Sequence, residues 1–518
     1  MPGLRFALLA VTAACVTASS LPAQDALTPV LPTRRMLAPY GLERAWWNQA
    51  TLNPSRDRVR HLVADEDVLI VQSRSGVVTV FDAENGRKLW AVRVGRTDAV
   101  SFAATTNDHL ALIVIGTEIY ALEKFTGKVA WHFDLPAAPS TSCEVDDDLV
   151  YVGTRDGSVY AFDLRKIRKF HDEGLLPKWS AQTLQWRYRA HKEVTTPPVS
   201  TGRTVNFASR GGSLYSVSAH DRKLQFQFET DRPISAPMGH SKKFLYLPSE
   251  DFKLYCISAD NGRTRWVYNT GLAIRKQPQV VGPNVFIVPA HGGLHSVATS
   301  STKKSEFAVP FAVKEGDIFD VSIDGTRISY AAGARDTVAA VAVALSRKIN
   351  AAGIAHVTAV ASAKDGSLVV TAPPSTAVSA TVTDKGNRRD LRGRVRIAMA
   401  GKRLWWRAKI TDFVAASPRR VYVTDRFSNL IALDRENGAT IAAFPLRHFS
   451  VRVANARTDR IFIAKPSGLV VCIRETGRTF PLYHRYPERR PILPTFAPDP
   501  LARKPAPDLP ARKSAPGR

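Results

Sequence analysis

Apolar and polar positions along the chain repeat with a period of about forty residues. In each copy, a nearly continuous apolar strand is followed by a Gly, Asp or Ser turn, a second strand, an acidic-Gly turn and then Trp or Phe. This repetition is typical of stacked supersecondary units. The first strands of the eight copies begin at Val68, Leu110, Leu149, Val205, Phe244, Val285, Val421 and Ile461.

One copy, residues 68–90, illustrates the unit. Its first strand is apolar throughout, which favours a strand covered on both faces by neighbouring sheets. The turn that ends in Gly86 contains Asp and Asn, which tolerate left-handed backbone geometry. Trp90 then supplies a large ring to bury. Four-stranded sheets arranged radially bury both faces of every strand, so the pattern predicts an all-β fold, an eight-bladed β-propeller.

The two ends of the repeat region are incomplete. Residues 42–48 carry Trp46 and Trp47 without the strands that precede Trp in other copies, and Gly477 is followed by no Trp. We therefore expect the N- and C-terminal strands to share one blade. The fourth copy has drifted, with 220–223 replacing the Gly turn and Phe226 replacing Trp.

Two copies are longer than forty residues. Residues 165–177 form a surface excursion at a blade turn, and Val285 and Val421 lie 136 residues apart, which leaves about 96 inserted residues. Within 305–400 we predict a hairpin, then a helix with Asp336 as N-cap, then three strands, that is, a small α+β module. The helix stripe consists of Val338, Val341, Ala342, Leu345 and Ile349. A domain on a turn is a candidate docking element; a tolerated insertion without a partner is the alternative.

The predicted organisation has five parts. Residues 1–23 form a signal peptide, with one early positive charge, an apolar run and small residues before cleavage near Ala23. The alternative is a degenerate lipobox with lipidated Cys15, which would bring membrane association. The first part of the propeller is 36–304, the inserted module 305–400, the second part 401–483, and a disordered Pro/Arg/Lys-rich tail 484–518.

Charge and cysteine content indicate the partners. The chain has 72 Lys and Arg against 46 Asp and Glu, a formal charge of +26. Basic surfaces attract anions, and with an export signal we expect envelope proteins and anionic envelope polymers rather than DNA. A basic surface without a specific ligand is the alternative. Cys256 and Cys472 occupy matching strand positions and are predicted to be small buried hydrophobes.

Residues 121–131 (ALEKFTGKVAW) resemble the PQQ-like β-propeller repeat, named after pyrroloquinoline quinone, and 156–163 resemble its preceding strand. The resemblance covers about 40–300 and 400–480. It implies one of two branches: quinoprotein dehydrogenases, which hold the quinone and calcium on the axis, or non-enzymatic scaffolds that include BamB-like outer-membrane-protein assembly factors. The adjacent Cys-Cys pair typical of the dehydrogenases is absent, which favours the scaffold branch and no cofactor.

Candidate chemical sites are weak. Acidic runs at 65–67 and 146–148 could suggest calcium, but both precede first strands and are interpreted as solvated turns. His291 and His295 flank a hairpin turn without further zinc ligands. Residues 299–302 are interpreted as a solvated linker, and in 402–407 a Trp is assigned to the core rather than to a nucleic acid or sugar. No catalytic, cofactor-binding or metal residue is therefore predicted.

We expect an exported, non-enzymatic scaffold for protein–protein interaction in the cell envelope, in the periplasm or at the periplasmic face of the outer membrane, with a role in outer-membrane protein assembly. The first alternative is a periplasmic PQQ-dependent oxidoreductase with a divergent site. The second is a basic protein that binds carbohydrate or nucleic acid.

Overall fold

The computed structural model describes residues 31–484 apart from 98, 177, 242, 310–312, 363–365 and 392. The signal peptide 1–23, Cys15 and all of the tail except His484 therefore lie outside the described residues.

The described chain is dominated by short antiparallel strands. Strand β1 is Leu42–Gln49. The strands that follow it form five sheets, numbered 1 to 5, each made of four consecutive strands. These are β2–β5 (Val59–Ala64, Val68–Ser73, Val77–Asp82, Lys88–Arg93), β6–β9 (Thr105–Thr106, Leu110–Ile115, Glu118–Glu123, Val129–Asp134), β10–β13 (Glu144–Val145, Leu149–Gly153, Ser158–Asp163, Leu184–Arg189), β14–β17 (Val199–Ser200, Thr204–Ala208, Ser213–Ser218, Leu224–Glu229) and β18–β21 (Gly239–His240, Phe244–Pro248, Lys253–Ser258, Thr264–Asn269).

The remaining strands complete three repeat sheets and the inserted module. Sheet 6 contains β22–β24 (Gln279–Val281, Asn284–Ile287, Leu294–Ala298) and β33 (Arg403–Arg407), sheet 7 contains β34–β37 (Ile410–Ala416, Arg420–Asp425, Leu430–Asp434, Thr440–Phe444), and sheet 8 contains β38–β40 (Val451–Arg452, Ile461–Ala464, Leu469–Glu475) with β1. The module contains β25–β32 (Thr302–Ala308, Ile318–Ile323, Thr326–Ala331, Thr358–Ala361, Ser367–Ala372, Val378–Asp384, Asn387–Asp390, Gly393–Ala398). The α-helices are α1 (Arg34–Leu37), α2 (Leu164–Asp172) and α3 (Val338–Ala351), and Ala38–Tyr40 and Ser180–Thr183 are 3-10 turns.

The eight repeat sheets of the described chain close into a ring. First strands contact each other between sheets 2 and 3, 3 and 4, and 5 and 6, and β34 of sheet 7 contacts β24 of sheet 6 and β39 of sheet 8. The first strand of sheet 8, β38, contacts the first strand of sheet 1, β2. The second strands are buried along almost their whole length, as β3 and β7 show. The predicted all-β propeller with an inserted α+β domain is confirmed.

The N- and C-terminal strands share sheet 8, as expected. Strand β1 pairs antiparallel with β40, so that Trp46 lies opposite Cys472 and Gln49 opposite Leu469. The Trp46 ring is buried between Phe81 of sheet 1 and Phe462 of its own sheet. Trp47, which points to the other face of the strand, is 52% exposed. Ring closure therefore depends on the N-terminal segment.

The Trp of each repeat packs against a turn of the adjacent sheet. The Trp90 ring of sheet 1 lies against Gly127 of sheet 2, and its Nε1 donates to the Lys124 carbonyl at 2.9 Å. Any Cβ on these glycines would collide with the ring, and each glycine also has a positive φ. The same contact joins Trp46 to Gly86, Phe226 to Gly262, Trp266 to Gly401 and Trp405 to Gly438.

Sheets 3 and 4 depart from this glycine turn. In sheet 4, Arg222 takes the positive φ, at 63°, in the drifted turn, and Trp186 Nε1 donates to the Ala219 carbonyl at 2.7 Å. In sheet 3 the predicted excursion begins with α2, which is capped by Asp163 through bonds from the backbone of Arg165 and Lys166. Trp131 belongs to the same buried cluster as Ile167 of this helix.

The inserted module is built of two four-stranded sheets and α3. The sheet orders are β28-β29-β25-β32 and β27-β26-β30-β31, and α3 contacts β27, β28 and β29. Val341, Ala342, Leu345 and Ile349 are buried, as the helical stripe predicts, and Val338 is partly buried.

Two details of the module prediction are wrong. The helix N-cap is Thr337, whose side chain accepts from Ala340 N, whereas Asp336 accepts from Gly333 N and Tyr330 Oη. The predicted linker at 299–302, by contrast, lies outside the strands as far as residue 301 and leads into β25 at Thr302. The basic run before the return to the propeller forms β31 and β32, which polar composition concealed.

Within the described residues, no helix combines the length and the apolar character needed to cross a membrane.

Replacement of Gly127 by Ala should destabilise the protein more than replacement of Gly202. Both glycines have positive φ (+74° and +84°), so each Ala costs about 1–2 kcal/mol of backbone strain. A Cβ at Gly127 would also lie 2.5 Å from the Trp90 ring, whereas nothing lies within 4 Å at Gly202. The steric conflict should add about 1–3 kcal/mol. Urea unfolding followed by tryptophan fluorescence measures both changes, and equal losses would contradict the Trp–Gly contact.

Trp46→Ala and Trp47→Ala test ring closure on one strand. Loss of the buried Trp46 ring and of its bond to the Ala83 carbonyl should lower the free energy of unfolding by about 3–5 kcal/mol. Loss of the exposed Trp47 ring should change it by about 0.5 kcal/mol or less. The comparison uses the same denaturant titration. If the two variants unfold at the same urea concentration, β1 does not hold the ring closed.

Candidate functional site

The turns between first and second strands, and between third and fourth strands, lie on one face of the ring, because equivalent antiparallel strands run in the same direction in every sheet. We call this the turn face. It carries both long excursions: α2 and Ser180–Thr183 lie between β12 and β13, and the module 302–398 lies between β24 and β33. The turn face therefore has the most varied surface of the described propeller.

A cavity of about 570 Å³ opens among the first turns of sheets 1, 5, 6 and 8, near the ring axis. Its polar lining includes His240, Ser241, Lys243, Gln279, Arg457 and His484. Asp and Glu are absent from the lining among the described residues. Burial, with Arg435 nearby, lowers the pKa of His484 to about 4, and its Nε2 lies 2.9 Å from the Ala416 carbonyl. The cavity thus suits an anionic or neutral ligand better than a cation.

The lining fits a calcium-dependent quinone site poorly. Calcium requires six or more oxygen ligands, with carboxylates prominent among them. The described lining offers the hydroxyl of Ser241 and the side-chain amides of Gln277 and Gln279, and its charged groups are cations. Elsewhere in the described chain, no three His, Cys, Asp or Glu side chains are grouped to hold a metal ion.

A buried ionic cluster positions Arg457 beside the cavity. Arg457 lies 2.5 Å from one carboxylate oxygen of Asp65, and Lys124 Nζ lies 2.5 Å from the other oxygen and 3.0 Å from Asp67. Burial alone would raise the pKa of Asp65, but Arg457 and Lys124 hold it below its ordinary value. The cluster joins sheets 8, 1 and 2.

The interpretation of 65–67 as a solvated turn is therefore wrong for Asp65 and Glu66, which are buried. In the second acidic run, Asp147 and Asp148 are exposed, as expected. Asp146 is half-buried and accepts hydrogen bonds from Tyr151 Oη and Ser200 Oγ. Each run thus contains a carboxylate with structural partners, which sequence alone did not distinguish from a solvated one.

The two histidines are not paired in the described structure. His291 is exposed in the turn with a φ of 59°, whereas His295 is buried on β24 with Nδ1 2.8 Å from Tyr268 Oη. Burial and the nearby Arg403 lower the pKa of His295 to about 4, so that it is neutral at physiological pH. His295 is a core histidine with a hydrogen-bonding partner.

The described cysteines are buried, and one Trp of the pair at 405–406 packs in the core, as the sequence predicts. Cys256 and Cys472 are free and buried, as predicted, and so is Cys143. Burial raises the pKa of Cys143 and Cys256 to about 12, so these thiols are poor nucleophiles. Trp405 is the packing Trp, with Nε1 2.8 Å from the Arg435 carbonyl, whereas Trp406 is 49% exposed.

Sequence reasoning missed the axial cavity and the Lys124–Asp65–Arg457 cluster. The residues of both features lie far apart in the chain and meet only when the ring closes.

Comparison with known proteins points to one family. The family profile described as "Outer membrane protein assembly factor BamB" matches residues 74–183 and 171–306. BamB of Moranella endobia (strain PCIT) is 24% identical over 169 residues, which is 30% of this chain and 39% of that relative's length. The chain thus matches well under half of that protein.

Two solved structures are similar. BamB from Moraxella catarrhalis, 14% identical, covers 84% of this chain and 97% of its own, with a TM-score of 0.49. The computationally designed Ika8 protein, 11% identical, covers 80% and 96%, with a TM-score of 0.48. The chain therefore resembles the PQQ-like β-propeller repeat proteins and, among them, the BamB-like assembly factors.

Proposed function

We propose that this chain is an exported, non-enzymatic scaffold of the cell envelope that binds other proteins and acts in the assembly of outer-membrane proteins. The observation that carries the proposal is the match of residues 74–306 to the BamB profile. Its location would be the periplasm or the periplasmic face of the outer membrane.

The turn face supports a binding role. Most strand residues of the repeat sheets serve to pack the fold, because the second strands are buried and the Trp rings lie against the next sheet. Excursions on the turn face are free to contact clients, and loops on a rigid scaffold are common binding elements. The basic balance of the chain would favour acidic proteins and anionic envelope polymers.

Co-purification tests the scaffold role. The full chain, expressed in cells with an outer membrane, should enrich outer-membrane proteins or their assembly machinery over an unrelated basic periplasmic protein. A variant without the module replaces residues 299–402 with a copy of the five-residue turn 83–87. The Gly of this turn gives Trp266 a surface to pack on. If the module takes part, this variant should still unfold cooperatively on heating, which shows that the propeller is folded, and should recover less client. Enrichment no greater than that of the basic control would contradict the proposal.

A melting curve distinguishes the scaffold from the quinoprotein alternative. Because the cavity lining offers calcium few oxygen ligands, pyrroloquinoline quinone with calcium should leave the melting temperature unchanged. A ligand at a hundred times its dissociation constant would stabilise the fold by about 2.7 kcal/mol, a readily visible shift. Calcium alone serves as the control. A rise that requires the quinone would overturn the non-enzymatic assignment.

A further inference from the structure

Strand β32 is an open edge of the inserted module. In the described chain it lies at the end of the sheet β28-β29-β25-β32 and pairs with β25 alone. Residues 393–397 are all exposed, and only Ala398 is partly covered. Half of the main-chain groups of such a strand point away from its neighbour and can pair with another chain.

The two faces of β32 have different chemistry. Val395 and Ile397 lie on the side of Ser305 and Phe307, which are buried in the module core, yet they are 51% and 57% exposed. Met399, just after the strand, is 52% exposed. The apolar side of the module therefore extends onto β32 without a cover.

The opposite face of β32 is basic. Arg394 and Arg396 lie on this side, opposite Glu306 and Lys304 of β25. Arg396 bonds to Glu436 of sheet 7 at 3.2 Å, as Lys304 does at 2.9 Å, so that this face of the sheet lies towards the propeller. No carboxylate of the described residues lies within ion-pair distance of Arg394.

The neighbouring edge strand shows what a protected edge looks like in the same module. Strand β31 ends the other sheet with only four residues, Asn387–Asp390, all of them polar. Short length and charge are common protection against unwanted strand pairing. Strand β32 is longer and exposes two β-branched residues on one face, so it lacks this protection.

A second copy of the chain is a poor occupant for this edge. Antiparallel self-pairing about a two-fold axis keeps the two faces apart and pairs five residues of β32 in two registers, which place Arg394 opposite Arg396 or Arg396 opposite Arg396. Like charges directly opposite each other destabilise a strand pair. A shift by one residue would place Arg opposite an apolar side chain and mix the two faces.

We propose that β32 binds an extended polypeptide segment in which Asp or Glu alternates with apolar residues, by adding it as a strand to the sheet. The acidic side chains of this segment lie beside Arg394 and Arg396, and its apolar side chains cover Val395 and Ile397. Main-chain bonds supply affinity and the alternation supplies selectivity. This inference rests on the proposed scaffold function and names the kind of client segment that the module takes.

Binding of a synthetic peptide to the full chain tests the proposal. A fluorescently labelled peptide of alternating Glu and Val should bind, with an affinity that falls as salt is added. A Lys–Val peptide should bind at least about tenfold more weakly, because its charges repel the basic face. Equal binding of the two peptides would overturn the proposal.

Matched variants locate the site. Val395→Thr with Ile397→Thr keeps β-branched side chains and strand propensity but removes apolar surface, and should weaken Glu–Val binding about tenfold. Arg394→Glu should weaken it about fivefold and improve binding of the Lys–Val peptide. Arg389→Glu, the same charge change on exposed β31, should leave both affinities unchanged. If Arg394→Glu and Arg389→Glu behave alike, β32 is not the site.

Two further measurements separate the outcomes. Sedimentation of the chain without peptide should show a monomer. A dimer that dissociates in the Val395→Thr, Ile397→Thr variant would mean that a second copy covers β32 and would overturn the proposal. If the peptide fails to bind while client co-purification persists, only this inference fails. If both fail, the scaffold function fails as well.

Discussion

The contact of each repeat Trp with the turn of the next sheet is the interaction on which the ring depends. The ring of Trp90 rests on Gly127, and its indole N–H donates to the same turn, so one residue links two sheets by packing and by hydrogen bonding. The turn must leave room for the ring, which explains a glycine with positive φ at this place. Trp46 lies on β1, which closes the ring by pairing with β40, and its contact with Gly86 joins sheet 8 to sheet 1 in the same way.

This constraint determines where the chain can depart from its repeat. An insertion between the third and fourth strands of a sheet must still provide a surface on which the Trp of the preceding sheet can pack. In sheet 3, α2 does so by placing Ile167 in the cluster of Trp131. In sheet 6, the module returns to Gly401, which keeps a positive φ and receives Trp266, whose indole N–H donates to Thr299 before the module begins. Both additions therefore preserve the inter-sheet contact and differ only in what they expose.

The sequence predicted those features that repeat or that have a local pattern. Apolar runs such as Val68–Ser73 and the stripe of α3 define their own elements, because burial on two faces or on one leaves a distinct periodicity. Features that depend on ring closure could not be predicted: the burial of Asp65 requires Lys124 and Arg457 from other sheets. Strand β31 was missed because its four residues are all polar. Strand β32 alternates basic and apolar residues, but it lies in a basic run that was interpreted as the connection back to the propeller.

The titratable and polar groups of the described chain fall into two sets, one buried in the repeat sheets and one accessible at the surface. Buried groups are committed to structure: Cys143 and Cys256 have raised pKa values, and His295 is held neutral beside Tyr268. Accessible polar groups lie at the axial cavity, among the first turns of four repeat sheets, and along β32 of the inserted module. The described lining of the cavity supplies cations, histidines, a serine hydroxyl and amides. Strand β32 supplies exposed main chain and side chains, next to the ion pairs of Arg396 and Lys304 with Glu436 of sheet 7.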